Sequence, residues 1–230
     1  MHYPSGAEQS GEPMDTIERS KYIPAKINPI RHDPPGAVKS MPSPTKMHHV
    51  HIYSDVNYDA QVEFYKRLFN AEVVTVTEFG PRKVTFLSYD DHDHRVIIIG
   101  QPGWGTKPKN PIGVSHLAFG YASLGELMFL YKRMREYGYD KPPYCVNHGN
   151  STSLYWKDPD GNDVETMADN YAPQECQDYK RHYQFSPEFG AMDEACFDPD
   201  KMLALYESGV ADTILMDREQ VKRLHKEGKL

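Results

Sequence analysis

Residues 47–54, MHHVHIYS, and residues 113–121, GVSHLAFGY, decide the fold because they begin two copies of one unit. His49 of the first stretch aligns with His116 of the second at an offset of 67 residues (116 − 49 = 67). After each stretch come one helical pattern and three strand-like runs. A fixed offset between two such series indicates an internal repeat. The sequence therefore predicts two βαβββ units.

Apolar spacing supports each element of this repeat. Apolar residues recur at helical spacing in residues 58–70 and again in residues 124–134. The strand-like runs of the first unit are 73–78, 84–89 and 94–100, and those of the second are 142–146, 153–156 and 163–167. Because one helix and several strands alternate within each unit, we expect an α+β fold.

Length, composition and charge limit the possible functions. The chain has 230 residues, 39% of them hydrophobic, which is enough for a packed core. A net charge of −7 and the lack of a basic run argue against nucleic-acid binding. Three cysteines without CxxC spacing argue against a disulfide framework or a zinc ribbon, so we expect a reducing, cytoplasmic compartment. No apolar run approaches the roughly 18 residues of a membrane span, and no secretory leader is indicated.

The composition changes twice along the chain. Residues 1–45 are rich in Pro, Ser, Gly and charged residues, which is typical of an extended arm. Residues 46–170 hold the repeat, and residues 171–230 form a tail. In the tail, residues 173–190 are loop-like and two short helices with charged faces follow, so we expect a cap on the sheet or a subunit contact. Asp198-Pro199-Asp200 is typical of a helix start.

Three side chains on separate strands form a candidate metal site: His49, His116 and Glu165, the last residue of DPDGNDVE (158–165). Two imidazoles and one carboxylate suit a non-haem ferrous ion with open positions for substrate and oxygen. His51 remains a rival to His49, because side chains two residues apart on a strand share a face. DPDGN alone is a turn signal and gains meaning from the glutamate that follows.

The repeat also predicts what the site lacks. Glu165 corresponds to position 98 of the first unit (165 − 67 = 98), and positions 97–99 are all isoleucine. A fourth protein ligand is therefore missing. Four protein ligands favour Lewis-acid chemistry, whereas three leave room for a bidentate substrate and dioxygen. The pattern favours redox chemistry over isomerisation.

Residues 47–167 resemble the vicinal oxygen chelate superfamily, and within it the type I extradiol catechol dioxygenases. The resemblance lies in residues 86–99 (FLSYDDHDHRVIII), in the HLAF strand and in residues 147–165 (NHGNSTSLYWKDPDGNDVE), with ten residues from Tyr155 to Glu165. It implies that the two modules form one open barrel around Fe(II), with Mn(II) as an alternative. The implied metal ligands are His49, His116 and Glu165.

The resemblance also implies second-sphere roles for His94, His148 and Tyr155. Histidine can take and return a proton near neutral pH, so we assign the proton and oxygen role to His94. We expect His148 to line the substrate side and Tyr155 to donate its phenol O–H to the ligated substrate oxygen. His92 competes with His94 in the same acidic loop, and Tyr155 could instead be an ordinary core aromatic residue.

The predicted function is an extradiol dioxygenase that inserts both atoms of O2 into a catechol-type ring and cleaves it. The expected partners are an aromatic vicinal diol, O2 and further copies of the chain in a homo-oligomer. Three alternatives stay open. They are a metal-dependent lyase or isomerase of glyoxalase or epimerase type, a metal-free binding protein of the same fold, and an iron oxygenase acting on a non-catechol ring.

Overall fold

The computed structural model describes residues 39–109, 112–184 and 195–230. The chain divides into two units, residues 1–47 and residues 48–230. In the first unit, residues 39–47 are exposed and form neither helix nor strand. The predicted arm, residues 1–45, lies outside the described residues except for its last seven, and it stays a prediction.

The described part of the second unit contains eight strands and six helices. In chain order they are β1 (Val50–Ser54), α1 (Tyr58–Leu68), β2 (Glu72–Phe79), β3 (Arg82–Ser88), β4 (Val96–Gly100), β5 (His116–Tyr121), α2 (Leu124–Glu136), β6 (Tyr144–Asn147), β7 (Ser151–Lys157), β8 (Asp163–Asp169), α3 (Pro173–His182), α4 (Pro199–Glu207), α5 (Asp212–Leu215) and α6 (Arg218–Lys226). None of these helices is both long and apolar enough to cross a membrane.

The strands form two four-stranded sheets with the same topology. Their orders are β1-β4-β3-β2 and β5-β8-β7-β6. In each sheet the first and last strands of the unit pair in parallel, and the other pairs are antiparallel. Each sheet with its helix is one βαβββ copy. The predicted repeat and the α+β fold class are therefore confirmed.

Most element boundaries shift by one or two residues, and two differences have a visible structural cause. Strand β4 begins at Val96 and not at residue 94, because an Asp90–Arg95 ion pair (2.7 Å) closes residues 90–95 into a loop. In the tail, part of the stretch predicted to be loop-like, residues 173–190, forms helix α3. Pro173 occupies the first helical position, and the Glu175 carboxylate accepts a hydrogen bond from the Ala172 amide (3.3 Å), as at a helix start. The predicted helix start at Asp198 is confirmed, since its carboxylate accepts hydrogen bonds from the first turn of α4.

Asp158, in the turn between β7 and β8, joins the two copies. It is 4% exposed, and its Oδ2 accepts hydrogen bonds from Gln61 (2.8 Å) and Tyr65 (3.0 Å) of helix α1. Asn162 also donates to this oxygen (2.8 Å), and the Asn162 and Asp160 amides donate to Oδ1. A buried carboxylate with this many donors is well compensated for lost hydration. The turn that leads into β8 is thereby fixed to the first module.

Candidate metal centre and substrate cavity

The pairing of β5 with β8 brings His116 and Glu165 together. Ala118 lies opposite Glu165, and His116 precedes Ala118 by two residues, so the side chains of His116 and Glu165 can meet on one face. The His116 Nε2 lies 3.0 Å from the Glu165 Oε2, and the Glu165 side chain is only 7% exposed. Two of the three predicted metal ligands are therefore in contact.

Tyr155 stands beside this pair on strand β7. It is the cross-strand partner of Glu165, and its ring meets the His116 ring edge-on at 5.3 Å between centroids. Burial, and then the hydrogen bond to Glu165, raises the pKa of Tyr155 well above its ordinary value. The phenol therefore keeps its proton at neutral pH and can act as a hydrogen-bond donor.

His148 completes the group from the loop between β6 and β7. Its Nε2 lies 3.0 Å from the Tyr155 hydroxyl. Burial is the main cause that lowers the pKa of His148 below 6.5, so the imidazole is neutral at pH 7. A neutral imidazole offers one N–H donor and one acceptor. His148 and Tyr155 can therefore form a hydrogen-bonded chain that ends at a bound ligand.

The loop that carries His148 is held by residues that sequence reasoning missed. Asn147 is fully buried, and its Oδ1 accepts from the Gly149 amide (2.7 Å) and from Asn170 (3.2 Å). Its Nδ2 donates to the Met216 carbonyl in the tail (2.8 Å). Asn170 also donates to the Gly149 carbonyl (2.8 Å). The tail thus does more than cover the sheet, because it helps to fix the loop at His148.

Helix α3 of the tail also presses on this loop. Gly149 has a φ of 86°, and a Cβ at this position would overlap the Tyr179 ring. Only glycine fits both the backbone conformation and the close approach of the ring. Gly149 in the motif NHGN was the one feature of the sequence that indicated a tight loop packed against another group.

A cavity of about 830 Å³ opens beside His116, His148 and Tyr155. Its other walls are mainly aromatic or proline side chains, with charged groups among them. They include Tyr139, Asp140, Lys141, Pro142, Pro143, Tyr144, Trp156, Lys157 and Asp163. Such a volume is typical of sites for drug-sized ligands, which have apolar walls and a few converging polar groups.

His49 and His94 lie together in a second group of side chains. The His94 Nε2 is 3.2 Å from the His49 Nδ1, and the His48 Nδ1 is 3.0 Å from the same atom. Ring nitrogens of these three histidines lie within 4.8 Å of one another. In the described part of the chain, His49, His116 and Glu165 do not form a group this tight.

The assignments of His49 to the metal and of His94 to proton transfer therefore remain predictions, and His49 lies one residue before β1. The rival His51 lines a cavity of about 250 Å³ together with His116, and its ring lies 4.9 Å from that of His49. His92 does not join the group around His49 through its ring nitrogens, and it instead contacts Asp90 and Asp91 in the exposed loop.

The His116–Glu165 pair fits a metal ion. For two ligands at right angles, with bonds of about 2.1 Å, donor atoms lie about 3 Å apart, which matches the observed 3.0 Å. A carboxylate and two imidazoles are the nitrogen and oxygen donor set that suits Fe(II) or Mn(II), and His116 and Glu165 supply two of these three donors.

Comparisons with known proteins identify a family and similar chains. Residues 46–166 match the model of the glyoxalase/bleomycin resistance protein/dioxygenase superfamily. The chain is 34% identical over 162 residues to biphenyl-2,3-diol 1,2-dioxygenase 3 of Rhodococcus globerulus, covering 69% of this chain and 81% of the relative. It is 32% identical over 152 residues to biphenyl-2,3-diol 1,2-dioxygenase 2 of the same organism, covering 65% and 75%. Among solved structures, a glyoxylase/bleomycin resistance protein/dioxygenase domain from Frankia sp. EAN1pec is 16% identical with a TM-score of 0.47, over 55% of this chain and 93% of that one.

Proposed function

Because the chain belongs to the glyoxalase/bleomycin resistance protein/dioxygenase superfamily, we propose that it is an extradiol dioxygenase that cleaves a catechol-type ring with both atoms of O2. The observation that carries this proposal is the contact of His116 with Glu165 (3.0 Å) beside the hydrogen-bonded pair Tyr155 and His148. Similarity to two proteins named biphenyl-2,3-diol dioxygenases supports it.

In this proposal His116, Glu165 and His49 hold Fe(II), with Mn(II) as the alternative ion. When bound, such an ion supplies a redox-active Lewis-acid centre with positions for a vicinal diol and dioxygen. The buried Glu165 carboxylate balances part of the positive charge. His49 lies just before β1, and its place in the ligand set rests on the repeat.

Tyr155 and His148 act on the substrate. The Tyr155 phenol is protonated, so its O–H can donate to a substrate oxygen and favour the ionised diol. The neutral His148 imidazole lines the same cavity and can donate a hydrogen bond to an oxygen that gains negative charge. Donors fixed before the reaction stabilise such charge without reorganisation.

His94 is the proposed residue for proton transfer. Its Nδ1 lies 2.5 Å from the Asp93 carboxylate, and its side chain is 16% exposed. A carboxylate that holds one ring nitrogen orients the other, here the Nε2 that faces His49. His94 is thus a base with one defined orientation.

The cavity supports a bulky substrate. At about 830 Å³ it lies in the upper part of the range for pockets that bind drug-sized ligands. Pro142, Pro143 and Trp156 supply apolar or aromatic surface on its walls. Two relatives are named for biphenyl-2,3-diol. We therefore propose a catechol with an aryl or similarly large apolar substituent.

A metal-dependent isomerase of the same superfamily is less well supported. Strand β4 has the same position in the first sheet as β8 has in the second. On β4, Ile97 lies opposite His51, and Ile99 lies opposite Tyr53. Isoleucine offers no ligand atom, so this strand adds no fourth donor to the set. Assembly into a homo-oligomer and a cytoplasmic location stay predictions.

The test is oxygen uptake by protein loaded anaerobically with Fe(II) or Mn(II), using 2,3-dihydroxybiphenyl and unsubstituted catechol. We expect one O2 consumed per ring cleaved, a yellow product and a lower KM for the aryl-substituted diol. Glu165→Gln and His116→Ala should abolish uptake, whereas His225→Ala, which removes an exposed imidazole of α6, should not. Lack of uptake with both metals and both diols would refute the proposal.

A further inference from the structure

We propose that His48, His49 and His94 form a second metal site, for a nitrogen-preferring dication such as Zn²⁺, which shares His49 with the proposed iron centre. Because side chains alternate along a strand, the sequence alone predicts that His48 points away from His49. The structure instead places its ring against those of His49 and His94, with centroids 5.1 and 5.6 Å away.

The spacing of the ring nitrogens is that of ligands on one ion. The His49 Nδ1 lies 3.0 Å from the His48 Nδ1 and 3.2 Å from the His94 Nε2. With metal–nitrogen bonds of about 2.05 Å, two ligands lie about 2.9 Å apart at a right angle and about 3.3 Å apart at a tetrahedral angle. Both observed separations fall between these values. Two of the three nitrogen pairs therefore already have the spacing of ligands on one ion, and the third pair lies within 4.8 Å.

The contacts at the His49 Nδ1 allow a metal ion in place of hydrogen bonds. A neutral imidazole nitrogen carries either one proton or one lone pair, so the His49 Nδ1 can make one linear hydrogen bond. It nevertheless faces two ring nitrogens at hydrogen-bond distance. A cation that accepts a lone pair from each ring would satisfy all three nitrogens at once.

The surroundings orient the ligands. The Asp93 carboxylate lies 2.5 Å from the His94 Nδ1, which leaves the His94 Nε2 to face the group. A carboxylate behind a histidine is the usual outer partner of a metal ligand. Arg95 donates to the His48 carbonyl (2.9 Å) and so holds the backbone at the first ligand.

The donor set selects the ion. Three imidazole nitrogens and no carboxylate suit Zn²⁺, Cu²⁺, Ni²⁺ or Co²⁺ better than the oxygen-preferring Mg²⁺ or Ca²⁺. His48 and His49 are exposed, so an ion can enter from solvent, and water can fill the fourth position. The chemistry is that of an open, three-histidine zinc site.

Because both metal sites use His49, zinc binding should affect catalysis, an expectation that rests on the proposed function. An ion bound to the His49 Nδ1 holds this imidazole in the orientation that faces His48 and His94. Because the iron centre also needs His49, zinc at the second site should compete with iron loading. We therefore expect excess Zn²⁺ to inhibit ring cleavage.

The site is tested by Co²⁺ and Zn²⁺ titration of metal-free protein in a His116→Ala background, which disables the iron centre. Calorimetry gives the affinity, and the visible absorption of Co²⁺ reports nitrogen ligation. We expect one ion per chain in H116A and at least tenfold weaker binding in H48A/H116A. The matched control H51A/H116A removes a neighbouring imidazole outside the group and should bind as H116A does. Circular dichroism melting checks that each variant is folded.

Two results would overturn the inference. One is equal affinity of H116A and H48A/H116A. The other is weakening by His92→Ala in place of His48→Ala, which would place the ion in the Asp90–His92 loop. A separate arm compares zinc inhibition of ring cleavage in wild type and H48A, where we expect at least tenfold relief. If the wild type cleaves no diol, the proposed function fails while the titration still decides the second site.

Discussion

Replacement of Asn147 by alanine should both destabilise the fold and release His148. Asn147 is fully buried and makes three hydrogen bonds, to the Gly149 amide (2.7 Å), the Met216 carbonyl (2.8 Å) and Asn170 (3.2 Å). Each such bond contributes about 0.5–1.5 kcal/mol net, and its loss leaves a buried partner unpaired. We expect the free energy of unfolding to fall by about 2–4 kcal/mol.

The effect on function follows from the same bonds. When the loop is free, His148 no longer holds its 3.0 Å contact with the Tyr155 hydroxyl. The loss of one oriented hydrogen bond, about 1.4 kcal/mol, corresponds to a tenfold change in rate. We therefore expect kcat for ring cleavage to fall about tenfold. The measurements are urea unfolding and oxygen uptake at saturating substrate.

Asn150→Ala is the matched control. Asn150 lies in the same loop, and its side-chain amide donates one long hydrogen bond, to the Ser151 hydroxyl (3.4 Å). Its replacement should cost less than about 1 kcal/mol and leave kcat nearly unchanged. Equal stability and equal kcat in N147A and N150A would refute the role of Asn147. A stability loss in N147A with unchanged kcat would show that the loop does not position His148 for catalysis.

Three further predictions concern single side chains. Tyr155→Phe should lower kcat for ring cleavage at least tenfold with little change in melting temperature, because it removes only the donor O–H; an unchanged kcat in oxygen uptake would make Tyr155 a packing residue. Asp158→Asn should lower the free energy of unfolding in urea by about 3 kcal/mol, since its Oδ2 accepts from Tyr65 and other buried donors; a loss below about 1 kcal/mol would contradict this role. Hydrogen bonds from Arg95 lower the pKa of Asp90 from 3.8 to about 2, so its contribution to stability is present above pH 3.8 and is lost as the pH falls through about 2. Asp90→Asn should flatten acid unfolding in that window, and identical acid profiles for both proteins would contradict the assignment.

The repeat was predictable because short stretches of the sequence indicate each of its elements. Apolar spacing indicated α1 and α2, and the offset between His49 and His116 aligned the two units. The contact of His116 with Glu165 fits that alignment, since the first and last strands of the second unit, β5 and β8, pair in parallel. These features depend on the spacing of apolar residues and on the order of the elements, and both can be read from a single sequence.

Long-range contacts of the tail were not predictable. Asn147 and Met216 are 69 residues apart, and their hydrogen bond depends on how the tail helices pack. Helix α3 was predicted to be a loop because its sequence, PQECQDYKRH, has few apolar residues, and none of them is buried. A helix without an apolar face shows no apolar periodicity, so the contact of Tyr179 with Gly149 could not be predicted.

The central claim is that a metal ion lies between His116 and Glu165. Anomalous diffraction at the iron edge, from crystals loaded anaerobically with Fe(II), tests it most directly. We expect a single strong peak about 2.0–2.2 Å from the His116 Nε2 and from a Glu165 carboxylate oxygen. A peak placed elsewhere, or its absence at this pair in iron-loaded crystals, would contradict the account.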